Sequence, residues 1–105
     1  MRIPIKSLTC AALLLGGHVT TALAAGDSVA GKAMAQRWCS SCHLVAPEQE
    51  TTTTEAPAFA TIAGRHPRSI EALAAFLADP HPPMPQMSLT RQEISDLLAY
   101  ISSLK

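Results

Sequence analysis

The clearest apolar and polar alternation lies near the C-terminal end of the chain, in LTRQEISDLLAYISSL. Ile94, Leu97, Leu98, Ile101 and Leu104 recur at the helical period and form one apolar stripe. Thr90 and Glu93 give the S/T-x-x-E capping box that starts such a helix, and Leu89 with Ile94 fits a hydrophobic staple around it. A second helix is predicted from Ser69, which can cap it, through Ile70, Leu73, Ala74, Phe76 and Leu77. Glu71 suits its positive end, and Asp79-Pro80 stops it. A third, earliest in the chain, runs from Asp27, a capping residue, to about Trp38. Its Gly31 and Ala35 share one face nearly bare of side chains, a notch where another helix can cross closely. The last helix is the candidate to fill it.

Between the helix that ends near Trp38 and the one that starts near Ser69 lies LVAPEQETTTTEAPAFATIAGRHPR, without a clear period before Pro57. Thr51 to Thr54 read as a solvated loop tip. No strand pair with a hairpin turn is visible. The expectation is an all-α domain with long loops, and a large internal ligand explains loops of that length in so small a domain.

The first residues read as a leader. Arg2 and Lys6 form a positive segment, LTCAALLLGG is apolar but too short to span a bilayer, and Ala22 to Ala24 form a small-x-small cleavage site. A retained membrane anchor is the alternative, disfavoured by the short apolar run. Cleavage after Ala24 removes Cys10 and leaves 81 of the 105 residues as one domain, 25–105. That domain carries six Lys and Arg against eight Asp and Glu, a formal charge of −2. With no basic cluster or aromatic-interleaved stripe, nucleic acid is excluded as a partner class. A core this small benefits from a staple such as a disulfide, metal or cofactor.

The staple is indicated by QRWCSSCHLV. Cys39-x-x-Cys42-His43 is the attachment motif for c-type haem. Two thiols add across the two vinyl groups of the porphyrin as thioethers, and the next residue lies under the iron, where imidazole is a good axial ligand. A thioredoxin-like pair needs a preceding strand and a βαβ context. A zinc site needs four ligands, but no further cysteine remains after cleavage, and His66 and His81 are poorly spaced. A structural Cys39–Cys42 disulfide leaves His43 and the long loop unexplained. For the second axial position, DPHPPMPQMSLT offers Met84, Met87 and His81. A methionine is often core filler, yet this loop is stiffened by Pro80, Pro82, Pro83 and Pro85, a better place to hold a ligand. Met84 is favoured over Met87, and His81 ranks behind both.

In these elements and their order the chain resembles the class I c-type cytochromes of the small bacterial single-haem kind, across the whole of residues 25–105. GKAMAQRWCSSCH resembles the family's first helix. The family usually has an aromatic at the Ala35 position, so the resemblance implies a crossing that is tighter or is filled by Trp38 or Met34. APAF resembles the family's Gly-Pro-x-Leu element, which implies that the Pro57 carbonyl accepts a proton from His43 and strengthens it as a ligand. MPQMSLTRQEISDLLAYISSL resembles the Met-Pro loop and last helix, which implies Met84 as the ligand and Leu97 and Tyr100 as the pair packed on the first helix.

The implied fold is a small cytochrome c fold, three main helices and long loops around one covalently bound haem c. The implied function is a periplasmic one-electron carrier, not an enzyme, meeting redox protein donors and acceptors transiently and not inserted in a membrane after processing. The alternatives are a cytochrome subunit of a periplasmic dehydrogenase or reductase, and a haem enzyme or gas sensor with an open iron position. Arg65 is a candidate to neutralise a haem propionate or, in the plainer reading, a solvated loop residue.

Overall fold

Helix α4 (Arg91–Ser102) is the element against which the other three pack: α1 (Ser28–Trp38), α2 (Phe59–Arg65) and α3 (Ile70–Ala78). The computed structural model describes residues 25–65 and 69–105. The expected leader, with His66, Pro67 and Arg68, lies outside the described residues. All regular structure among the described residues is helical, and no helix there is long and apolar enough to cross a membrane.

The helix ends follow from local chemistry. Asp27 has extended backbone angles, and its Oδ1 accepts from the Val29 and Ala30 amides at 2.8 and 3.1 Å. In α4 the Thr90 hydroxyl accepts from the Glu93 amide at 3.2 Å, and the Glu93 carboxylate accepts from the Thr90 amide at 2.7 Å. The capping box is complete, and each partner removes one otherwise unpaired amide. Helix α3 departs from the expectation. Ser69 precedes it but makes no side-chain cap bond. Its φ of −135° and ψ of 49° lie outside the extended region from which a capping hydroxyl reaches the first turn.

Helix α2 is an addition to the three helices expected. Phe59, Ile62 and Ala63 hold the i, i+3, i+4 spacing, but seven residues are too few for a period to stand out behind Pro57. Tertiary contacts support so short a helix. Phe59 and Ala63 are buried in the core, and the Phe59 amide donates to the Leu44 carbonyl at 2.9 Å.

The core gathers Ala35, Val45, Phe59, Ala63, Leu77, Leu97, Tyr100 and Ile101. Its tightest point is the crossing of α1 on α4. A Cβ on Gly31 would collide with the Asp96 backbone carbonyl and come within 2.9 Å of Tyr100 Cβ. Ala35 beside it is fully buried. The crossing is therefore close, as the notch predicts. Trp38 does not fill it, being 44% exposed, whereas Met34 packs partly buried against the core. A polar tie accompanies the contact: buried Asp96 accepts from the Asp27 amide and from the Gln92 side chain, both at 2.8 Å.

The glycines give a paired test. Gly31→Ala forces α1 away from a backbone carbonyl that cannot yield, and unfolding measurements should show a loss of about 3 kcal/mol. Gly64→Ala, in α2 with nothing near its absent Cβ, should instead be neutral or stabilise by up to about 1 kcal/mol.

Candidate functional site

The segment that leaves α1 is a turn, and its backbone has to find partners outside any helix. The carbonyls from Cys39 to Ala46 all do. Cys39 accepts from the amides of Cys42 and His43 at 3.1 and 2.9 Å. Ser40 accepts from the Gln49 carboxamide at 2.7 Å. Ser41 accepts from the Thr53 amide and hydroxyl at 2.9 and 2.7 Å, and Cys42 from the Thr54 hydroxyl at 2.8 Å. His43 accepts from Gln49 at 3.0 Å, Leu44 from the Phe59 amide, and Val45 from the Tyr100 hydroxyl at 2.6 Å. Ala46 accepts from the Gln49 amide at 3.1 Å. The threonine run is exposed in part, as a loop tip should be, but it also straps the turn. A run of four identical polar residues carries no sign of that in sequence, because the partners are carbonyls and not side chains.

This turn brings Cys39, Cys42 and His43 together. Both cysteines are free, Cys39 buried and Cys42 half-buried. Burial pushes the Cys39 thiol up to about 11, with the neighbouring Cys42 adding to the rise. At neutral pH Cys39 therefore stays uncharged, the opposite of the lowered attacking thiol of a dithiol oxidoreductase. His43 Nδ1 lies 2.6 Å from the Pro57 carbonyl. A carbonyl only accepts, so Nδ1 carries the proton and Nε2 keeps its lone pair. The ring also stands against buried Phe59, centroids 5.4 Å apart and tilted by 56°, and Phe59 in turn meets Tyr100 at 6.5 Å. The imidazole is held by one hydrogen bond and one aromatic neighbour.

Met84 and Met87 lie between α3 and α4. Both are half-buried and pack against the core, as do Ile62, Leu73, Leu89, Ile94 and Leu98. His81 is exposed, edge-on to Phe76 at 5.1 Å. Arg65 is exposed in the last turn of α2. Ser88, next to Met87, has a positive φ of 52° and donates its amide to the Gln86 side chain at 3.2 Å.

The family description "Cytochrome c" matches residues 28–105. A curated relative, cytochrome c-552 of Bradyrhizobium diazoefficiens (strain USDA 110), is 46% identical over 96 residues, 91% of this chain and 91% of the relative. The chain belongs to the cytochrome c family. No solved structure matches it.

The residues of this cytochrome fit the prosthetic group that the family carries. Two unpaired cysteines and an imidazole with a bare Nε2 form one short turn, and two thioethers lie among apolar side chains that the protein covers only in part. That donor set suits one covalently attached haem c per chain. The residues that sequence reading did not find are the ones holding the turn: Gln49, Thr53, Thr54 and the hydroxyl of Tyr100.

Tyr100→Phe tests that support. It leaves the carbonyl of fully buried Val45 without a donor and should cost about 1 to 2 kcal/mol in denaturant unfolding. Burial also holds the Tyr100 phenol above its ordinary 10.0. The unfolded chain therefore ionises first, so wild-type stability should decline as pH rises above about 10, and Tyr100→Phe should lack that part of the decline.

Proposed function

We propose that this cytochrome is a periplasmic one-electron carrier in which Cys39 and Cys42 form the two thioethers, and His43 and Met84 are the axial iron ligands. The observation that carries this reading is the 2.6 Å contact of His43 Nδ1 with the Pro57 carbonyl. It leaves the metal-binding nitrogen free, within the same turn as two unpaired thiols. A backbone acceptor behind a ligating imidazole also fixes its tautomer and raises its basicity.

When bound, haem c supplies a one-electron ferric/ferrous couple. The chain's own residues keep its surroundings constant. Pro57 and Phe59 hold the imidazole of His43. The prolines around Met84 restrict backbone rotation in its loop, so the thioether has little freedom to leave. With both axial positions taken by side chains, no open position is left for a substrate, which favours a carrier over an enzyme or gas sensor. The half-buried apolar side chains around the site limit the entry of water. The export reading rests on Arg2, Lys6, the LTCAALLLGG run and cleavage after Ala24.

The ligand set is tested by the visible and near-infrared spectra of the holoprotein with Met84→Ala and Met87→Ala. The thioether-to-ferric-iron band should vanish in Met84→Ala and persist in Met87→Ala, and carbon monoxide should bind the reduced wild type slowly or not at all. The reverse pattern of the band makes Met87 the ligand. Rapid carbon monoxide binding by wild type points to an open iron position instead.

Partners meet such a carrier over a small, short-lived interface. Charge complementarity mainly sets its on-rate, and no ring of lysines is present here. Electron transfer with an acidic docking partner should therefore depend only modestly on ionic strength, as stopped-flow rates across a salt series would show. A steep fall contradicts the reading.

A further inference from the structure

The half-buried carboxamide of Gln49 makes contacts on both sides of the Cys39–His43 turn. Its Nε2 donates to the carbonyl of Ser40 at 2.7 Å, before Cys42, and to that of His43 at 3.0 Å, after it. A third contact runs to the Thr51 carbonyl at 3.1 Å. Its Oε1 accepts from the Val45 amide at 2.9 Å, and its own backbone amide donates to the Ala46 carbonyl at 3.1 Å. Among the described residues, no other side chain joins both flanks of the turn. Thr53 and Thr54 reach only the Ser41 and Cys42 carbonyls between them.

We propose that Gln49 is a positioning residue for the haem ligand His43: one carboxamide fixes the separation of the two flanks of the turn and thereby the orientation of the imidazole toward the iron. The inference rests on the ligand set proposed above. The physical argument concerns degrees of freedom. The side chain of His43 is held at Nδ1 by Pro57 and beside its ring by Phe59. Those contacts restrict the ring only if the His43 backbone is itself fixed. Gln49 holds that backbone at its carbonyl and holds Val45 two residues on. Without the carboxamide, residues 40 to 45 keep their straps at Ser41 and Cys42 and their anchors at Leu44 and Val45. The His43 backbone then keeps its amide bond to the Cys39 carbonyl at 2.9 Å but loses the hold on its own carbonyl, so the peptide group that follows His43 can rotate and shift the ring. A glutamine is suited to the task, because the position needs donors and an acceptor on one planar group. A carboxylate supplies the acceptor alone.

The test uses the ferric holoprotein with Gln49→Met, which has similar length and no comparable hydrogen bonds, and Gln49→Glu, which keeps an acceptor for Val45 and so guards against failure to fold. Paramagnetic NMR reads the hyperfine shifts of the His43 ring protons, hydrogen exchange reads the Val45 amide, and denaturant unfolding reads global stability. In both variants the His43 hyperfine shifts should move, reporting a reoriented imidazole. Exchange at Val45 should speed up by roughly tenfold in Gln49→Met, the effect of losing one hydrogen bond. Lys32→Met, which severs the neighbouring exposed pair with Glu48 at 2.9 Å, should leave both local readouts unchanged. If the His43 shifts stay at their wild-type values in both Gln49 variants, whatever happens to stability, the positioning role is overturned. The same holds if Lys32→Met moves them equally. If the wild type shows no hyperfine-shifted imidazole, the proposed ligand set itself fails before any variant is compared.

Discussion

Helix α1 can lie on α4 only because residue 31 has no side chain. The Asp96 carbonyl occupies the space that a Cβ would take, and the two backbones are correspondingly close. The rest of the described structure is arranged around this contact. It aligns Asp96 to receive the Asp27 amide, joining the start of α1 to the middle of α4. It also sets where α1 ends, and therefore where Cys39, Cys42 and His43 begin. From one turn further along α4, Tyr100 reaches the Val45 carbonyl, two residues beyond the imidazole. Helix α4 thus locates both flanks of the turn, and α2 and α3 are placed by packing on the same helix.

The second constraint is backbone polarity. A long stretch without regular structure has to satisfy its carbonyls individually, since a buried unpaired carbonyl costs about 1 to 3 kcal/mol. Here side chains of the following loop supply the donors: Gln49, Thr53 and Thr54. The loop from 49 to 58 is therefore the outer wall of the turn as well as a connection between helices. Its last residues place the Pro57 carbonyl at His43 and Phe59 against the ring. One short segment thus both supports the motif and orients its histidine.

Much of the fold was legible in sequence because its signals are local. The capping box at Thr90 and Glu93, the cap at Asp27 and the apolar stripe of α4 depend on residues within two turns of each other. Gly31 and Ala35 were readable as a notch for the same reason. Ser69 and α2 show the limit. Ser69 has the chemistry of a cap, but its backbone angles, which the local sequence does not fix, keep its hydroxyl from the first turn. Helix α2 is too short to show a period and exists through the burial of Phe59 and Ala63.

The chemistry divides in the same way. The sequence by itself determined the cofactor class, because thioether attachment requires two thiols at one spacing with an imidazole beside them. It also determined the helical architecture, through caps and periodicity that act over a few residues. Only the tertiary structure decided what surrounds the motif: the Pro57 carbonyl at His43, the Gln49 carboxamide across the turn, the threonines beneath Ser41 and Cys42, and the Tyr100 hydroxyl at Val45. The physical reason is that these partners meet backbone carbonyls. A carbonyl is common to every residue, so no pattern of side chains marks which one a distant glutamine, threonine or tyrosine will reach until the chain has folded.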